Sequence, residues 1–169
     1  MDRLLILACS QRKTPVKGYL QAIDRYDGPA FRVLRKYLRE NSDGSLAVLI
    51  LSAKYGLIEP QRAIPRYDQR LSGALADSLR PQVLKAARRV LRSRLWRAVG
   101  LCAGNEYRSV LDGIAELMPA GARLDLLAGG LGKRLTALRD WLRQEAAAGP
   151  SFPTDLTGVK DSLCVSSPG

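Results

Sequence analysis

The stretch LAVLILS at residues 46–52 decides the fold, because it is apolar at nearly every position. An apolar run of this length between polar flanks is typical of a strand that is buried on both faces, as in a parallel sheet. Three further runs share the pattern, at residues 3–8, 97–103 and 123–128. The sequence therefore predicts about four strands, most of them parallel.

Amphipathic stretches separate these runs and predict helices. Asp27-Gly28-Pro29 opens the first, and Asp77 or Ser78 caps the second, with Pro81 in its first turn. Asn105 caps a third, and leucines from Leu131 onward form the stripe of a fourth. The alternation predicts a single α/β domain over residues 1–147, a Rossmann-like three-layer sandwich, followed by a flexible tail over residues 148–169.

The composition excludes several classes of protein. The 169 residues include no histidine, which rules out a Ser-His-Asp triad and an imidazole metal site. Three scattered cysteines predict neither a zinc cluster nor a disulfide framework, so we expect a cytoplasmic protein without a metal. No apolar run approaches the roughly 20 residues of a membrane span, and no membrane partner is expected.

Polar clusters follow each predicted strand. Since the carboxyl ends of parallel strands meet at one edge of a sheet, these clusters predict a ligand site there. Cys9 lies beside Arg12 and Lys13, whose charges favour a nucleophilic thiolate; the alternative is a small, inert, buried residue. The candidate side chains and glycines at the other strand ends are Ser10, Lys54, Tyr55, Gly56, Gly104 and Tyr107.

The segment from Ala53 to Ala76 is long for a connection and is expected to be packed. Within it Tyr67 and Asp68 place a phenol beside a carboxylate, and Glu59 and Glu106 are further candidate bases. Each of these carboxylates has the alternative role of a loop or cap hydrogen-bond acceptor.

A glycine-rich turn at the start of the last predicted helix offers backbone N–H groups to an anion. Its members are Gly130, Gly132 and Lys133, with a plain helix entry as the alternative. The spacing is not that of a P-loop.

Seven basic residues and no acidic ones lie between Arg80 and Arg97, out of a net charge of +11. Arg88, Arg89 and Arg92 fall opposite the apolar stripe of the predicted helix and are candidates for binding a nucleic-acid backbone. The alternative is a solvated helix face in an arginine-rich protein.

Several motifs together resemble a bacterial and phage domain family whose members are labelled peroxide-stress YaaA-like. They are Ala8-Cys9-Ser10-x-x-Lys13, Tyr26-x-Gly28-Pro29-x-Phe31, Ser52-Ala53-Lys54-Tyr55-Gly56-Leu57, Ile64-x-x-Tyr67-Asp68, Ala103-Gly104-x-x-Tyr107-Arg108 and Gly130-Leu131-Gly132-Lys133-Arg134-Leu135. The Cys-Ser-x-x-Lys element is also similar to one in archaeosine synthase, which acts on a deazaguanine base in tRNA. The resemblance implies an α/β domain that handles a nucleobase, a nucleotide or DNA.

Three hypotheses follow. The first is a nucleobase- or nucleotide-processing enzyme of the transferase or glycosidic-bond type. In it Cys9, Lys13, Lys54 and Asp68 are catalytic, and the substrate is bound by Ser10, Lys133 and the tyrosines and glycines named above. The second is a non-catalytic DNA- or RNA-binding protein linked to oxidative stress, which uses the basic helix. The third is a redox response through Cys9 and Cys102. The sequence specifies no cofactor and no oligomeric state.

Overall fold

The computed structural model describes residues 2–41 and 44–147. Within them a five-stranded sheet forms the centre of a mixed α/β fold, with the strand order β4-β3-β1-β6-β7. The strands are β1 (Asp2–Ala8), β3 (Leu46–Ser52), β4 (Gly56–Ile58), β6 (Trp96–Cys102) and β7 (Arg123–Leu126). A separate two-stranded sheet pairs β2 (Tyr19–Gln21) with β5 (Ala63–Pro65).

The four strands expected from the apolar runs are confirmed, and they pair in parallel. Parallel pairing requires crossover connections, which the intervening helices supply. The fifth strand, β4, was not expected. It turns back from the end of β3 at Gly56, which has a φ of +68° that favours glycine, and runs antiparallel to β3.

Helices cover both faces of the central sheet. Side chains of β1 alternate between two apolar cores: Leu4 and Ile6 face one, and Leu5 and Leu7 face the other. Five α-helices are described: α1 (Ala22–Arg25), α2 (Pro29–Glu40), α3 (Gly73–Leu91), α4 (Asn105–Leu111) and α5 (Leu131–Ala147). The first core packs against α3 and α4, and the second against α1, α2 and α5.

The start of α3 differs from the sequence prediction. Ser72 caps this helix, because its Oγ accepts a hydrogen bond from the backbone N–H of Leu75 at 3.3 Å. Pro81, expected in the first turn, lies inside the helix and is exposed. The segment from Asp77 to Arg80 is therefore helical rather than a cap, and the connection before it is shorter than predicted.

No described helix is both long enough and apolar enough to cross a membrane. The tail predicted over residues 148–169, which includes Cys164, lies outside the described residues.

Candidate active site at the carboxyl edge of the sheet

Cys9 follows the last residue of β1 and is half-buried. Its Sγ lies 3.0 Å from the phenol oxygen of Tyr107, which α4 brings over the end of β1. Burial, followed by the nearby Cys9, raises the pKa of the Tyr107 phenol. Since that phenol stays protonated at neutral pH, it is able to donate a hydrogen bond to the Sγ of Cys9.

Beside the thiol, three hydroxyl groups form a closed triangle. The phenol of Tyr26 donates to Ser52 Oγ at 3.1 Å, Ser52 Oγ and the Tyr67 phenol lie 2.9 Å apart, and the two phenols lie 2.5 Å apart. Ser52 also accepts the backbone N–H groups of Lys54 and Tyr55, both at 3.2 Å. This network fixes the turn after β3 and the position of the Tyr67 ring. Burial raises the pKa of Tyr67 to about 12.

Two lysines lie against the ring of Tyr67. The Nζ of Lys13 is 4.4 Å from the ring centroid, and that of Lys54 is 5.4 Å away. These distances are typical of cation–π contacts. Burial is the largest influence on the Lys13 amine and lowers its pKa, although Cys9 and Asp68 oppose the shift. Lys13 therefore loses its proton more readily than a solvated lysine does, which suits a group that exchanges protons.

A buried arginine holds the loop that carries Lys13. Arg25 is fully buried and donates to the carbonyl groups of Thr14 (2.9 Å), Val16 (2.8 Å) and Gly18 (2.5 Å). Its Nε also reaches the carbonyl of Ile64 in β5 at 3.4 Å. One side chain therefore ties the loop after β1 to the small sheet that precedes Tyr67.

Ser10 packs tightly against the start of α2. A Cβ placed at Gly28 would lie 2.5 Å from Ser10 Cβ, so this approach requires glycine. The backbone N–H of Gly28 donates to Ser10 Oγ at 3.1 Å. Ser10 thus connects the loop after β1 to α2, which also explains why glycine precedes proline at this helix start.

Asp68 is exposed and lines a cleft of about 440 Å³. The other residues lining it are Gln11, Lys13, Arg66 and Tyr67. The cleft lies against the lysine and ring described above, so the carboxylate faces the same space as the amine of Lys13. The structure thus brings the four candidate catalytic residues to one edge of the sheet, with Lys54 at its exposed margin.

The other candidate residues have different surroundings. Gly56 is buried at the β3–β4 turn against Gln82, and Tyr55 packs edge-on against Tyr67 with ring centroids 5.4 Å apart. Gly104 precedes α4, and a Cβ placed there would meet the carboxylate of Glu106 at 2.6 Å, a contact that this exposed side chain relieves by moving. Gly56 therefore shapes a turn of the site, Gly104 precedes the helix that carries Tyr107, and Tyr55 extends the aromatic surface.

The glycine turn before α5 lies after β7, two strands away from β1, or roughly 10 Å at the usual strand spacing. Gly130, Gly132 and Lys133 are exposed there. No described contact joins them to Cys9, so anion binding at this turn stays a prediction for a more distant part of the same edge.

Tyr26, Ser52 and Arg25 also contribute to the candidate site, although the strand-end pattern of the sequence does not identify them. Tyr26 and Ser52 stand inside motifs that carried the family resemblance, which was the available signal for them. For Arg25 no sequence signal distinguishes a buried arginine from the many exposed ones.

The basic residues of α3 lie at the opposite edge. A short connection over residues 92–95 joins the last turn of α3 to the first residue of β6, whereas Cys9 follows the last residue of β1. A seven-residue strand spans about 20 Å and separates the two edges. Arg88, Arg89 and Arg92 are exposed, and in the described part of the chain they form no ion pair. By contrast, Arg80 pairs with Asp77 and Arg94 with Asp2.

Among residues 2–41 and 44–147, no group of three histidine, cysteine, aspartate or glutamate side chains is arranged to hold a metal. Cys102 is buried at the end of β6, and burial raises the pKa of its thiol to about 11. It is therefore a poor nucleophile at neutral pH.

Comparison with known proteins gives a match to a family model and matches to solved structures. A model of a family of unknown function, DUF6884, matches residues 4–140. No protein of curated function matches the chain. The crystal structure of AF0587, a protein of unknown function, is similar with a TM-score of 0.49 and 17% sequence identity. The alignment covers 89% of this chain and 46% of that one, so the chain spans less than half the length of that structure.

Proposed function

The chain belongs to DUF6884, a family of unknown function, and we propose that it is a cytoplasmic enzyme that processes a nucleobase or nucleotide. The proposal includes a Rossmann-like, YaaA-like fold with the active site at the carboxyl edge of the sheet. One observation carries it: a half-buried thiol hydrogen-bonded to a phenol lies beside a tyrosine ring that two lysines contact.

Tyr67 and Tyr55 offer flat apolar surface for a planar base, and aromatic stacking of a base contributes roughly 1–3 kcal/mol. Lys54 lies at the exposed margin, 5.5 Å from the centroid of the Tyr55 ring, where it binds a phosphate of the substrate. A free base would use the ring alone, and a nucleotide would use both the ring and the lysine.

In the transferase reaction, the Cys9 thiolate adds to an electrophilic ring carbon of the base. A sulfur–carbon bond forms, the π electrons of the adjacent C=N bond move to nitrogen, and that nitrogen takes a proton from the Lys13 ammonium. When Lys13 takes this proton back, the C=N bond re-forms and the leaving group on the same carbon departs with the proton, which leaves the base joined to Cys9. An acceptor amine or alcohol then adds to that carbon, loses its proton and expels the Cys9 thiolate. Tyr107 donates its hydrogen bond to the thiolate before attack. In the glycosidic-bond reaction, the Asp68 carboxylate attacks the sugar carbon, and the departing base takes the proton from Lys13.

The test is equilibrium binding of free bases, nucleosides and nucleoside monophosphates, followed by turnover assays on those that bind. We expect Lys54→Ala to weaken nucleotides at least tenfold more than free bases, and Cys9→Ala to abolish transfer while binding persists. Lys85→Ala, an exposed lysine of α3, is the matched control and leaves both unchanged. Failure of every base and nucleotide to bind, or equal effects of Lys54→Ala and Lys85→Ala, would contradict the proposal.

A second candidate function is binding of DNA or RNA without catalysis, in a protein linked to oxidative stress. The exposed arginines at positions 88, 89 and 92, none of which pairs with a described acidic residue, support it. Each phosphate contact contributes about 0.9 to the slope of log K against log salt concentration, so reversing all three to glutamate removes up to about 2.7. Reversal of Arg94, which already pairs with Asp2, is the comparison; an unchanged slope in the triple variant excludes this surface.

A further inference from the structure

The lateral side of β3 that faces away from β1, called the open edge below, is paired along only part of its length. β4 pairs with Ile50, Leu51 and Ser52, and the chain then turns away at Glu59 and Pro60. Among the described residues, no strand lies beside the preceding segment, Leu46–Leu49. An unpaired strand edge of this kind presents backbone donors and acceptors to any extended chain that reaches it.

The hydrogen bonds between β3 and β1 show which backbone N–H and C=O groups of β3 point to the open edge. The carbonyl of Ser45 accepts from Arg3 N at 2.8 Å, and that of Leu51 accepts from Cys9 N at 2.8 Å. Odd-numbered residues of β3 therefore turn their N–H and C=O groups toward β1. Even-numbered residues turn theirs outward, so Leu46 and Val48 present two N–H and two C=O groups at the open edge.

A groove of about 440 Å³ runs along this open edge. Ile23 and Leu38 line one side of it, and Val90 and Trp96 line the other, while Glu59 and Pro60 are also part of its lining. Because both sides are apolar, side chains that alternate across an inserted strand meet apolar surface in either direction.

We propose that the Leu46–Leu49 edge binds an extended apolar peptide of a partner protein by strand addition. The unpaired backbone groups favour a strand over a helix, since a helix satisfies its own N–H and C=O groups internally. The peptide continues the line of β4 and runs antiparallel to β3. Four successive apolar residues fill the length between the turn at Glu59 and the first residue of β3.

The charge of Glu59 at one end of the groove sets the direction of the peptide. Glu59 lies where β4 ends and pairs with no described basic residue, so a basic residue at the amino end of the peptide complements it. Arg94 lies near the start of β1 and already pairs with Asp2, so an acidic residue at the carboxyl end would share its guanidinium with that aspartate. The surface is separate from the thiol and phenols of the proposed active site, so its function does not depend on that chemistry.

The test uses a synthetic peptide with blocked ends, Lys-Val-Ile-Val-Leu-Glu, and the full chain. In the proposed register its third and fifth residues lie opposite Val48 and Leu46. Its first residue bends away beside Glu59, because Ile58 already pairs with Ile50 at the next position. N-methylation of those two residues removes the amides that face β3, and we expect at least a tenfold loss of binding. N-methylation of the second and fourth residues, whose amides face solvent, leaves binding within about twofold. Equal losses from the two methylated peptides, or no binding of the parent peptide, would overturn the proposal.

A variant of the protein gives the reciprocal test. Val48→Pro removes an outward N–H but leaves the ladder to β1 intact, which an edge strand tolerates. We expect this variant to bind the peptide at least tenfold more weakly. Should it fail to fold, the methylated peptides still decide the question with the natural protein. A dimer in solution that Val48→Pro dissociates would assign the edge to a second copy and overturn the assignment to a partner peptide.

Discussion

The two edges of the central sheet carry polar groups in opposite ways. At the carboxyl edge, Tyr26, Ser52 and Tyr67 are bonded to one another, and the first two are fully buried. At the amino edge, Arg88 and Arg89 are exposed and have no described acidic partner. Buried, mutually bonded groups hold one geometry because each loses its partner if another moves.

The two edges therefore differ in what they present: fixed geometry at the carboxyl edge and mobile positive charge at the amino edge. The carboxyl edge holds its polar atoms at fixed positions, which the proposed small-molecule site requires. The amino edge offers positive charge on long side chains, which adapt to a partner but do not define its structure. Substitutions at the carboxyl edge should therefore lower the free energy of unfolding more than substitutions at the amino edge.

The largest effect is expected for the buried Arg25, and the exposed Arg139 is its control. Arg25→Ala leaves several carbonyl groups of the loop after β1 without a donor, and we expect it to lower the free energy of unfolding by about 3–5 kcal/mol. Arg139→Ala, an exposed arginine of α5, should change it by less than about 0.5 kcal/mol. Urea denaturation measures both. Similar losses of unfolding free energy in the two variants would contradict the expected difference between a buried and an exposed arginine.

The second-largest effect is a loss of stability at high pH, which the Cys102 thiol causes. Above pH 9 the thiol of the unfolded chain releases its proton, whereas in the folded chain burial raises its pKa to about 11. The folded state therefore loses stability as the pH rises from 9 to 11, by about 2.7 kcal/mol at about 1.36 kcal/mol per pKa unit. We expect Cys102→Ala to show a shallower decline in this window. Parallel curves for the two proteins would show that this thiol does not contribute.

A smaller effect is expected for Tyr26→Phe. The change removes one member of the hydroxyl triangle, so Ser52 and Tyr67 each lose one hydrogen-bond partner and keep the bond to each other, at a cost of about 1–2 kcal/mol. The matched control is Tyr19→Phe, because the Tyr19 side chain is 71% exposed. Thermal unfolding compares the variants. If Tyr26→Phe is as stable as the control, the hydroxyl triangle does not contribute to the stability of the folded chain.

The smallest effect is expected for Arg89→Ala at the amino edge. Its charge near the carboxyl end of α3 favours the helix by about 0.3–0.5 kcal/mol at low salt, and the loss should vanish in 1 M salt. A chemical denaturation series at two salt concentrations measures it. A loss above about 1 kcal/mol would indicate a specific contact in place of a solvated charge.

How far the sequence predicts this fold depends on the length of each element. The four long apolar runs identify their strands because continuous burial leaves a continuous apolar signature. The strands β2, β4 and β5 have three residues each, too few for a period to emerge. At α3, Pro81 misplaced the predicted start, because an exposed proline inside a helix leaves the same local pattern as one in a first turn.

The candidate site shows the same limit. The convergence of Cys9, Lys13 and Tyr67 was predictable because each follows a strand or stands in a motif, and strand ends meet at one edge of a parallel sheet. Their roles stay a prediction. The hydrogen bond between Cys9 and Tyr107 joins residues 98 positions apart, and only the packing of α4 beside β1 produces it. Contacts of that kind depend on the three-dimensional arrangement, which local patterns do not encode.

The contact between Ser10 and Gly28 constrains how the sequence can diverge. Because a Cβ at position 28 would lie 2.5 Å from the Cβ of position 10, any residue larger than glycine at 28 requires glycine at 10 or a displaced loop. Related chains that keep this loop geometry should show the two positions changing together. The pair thus offers a two-letter marker for recognising distant relatives whose remaining motifs have drifted.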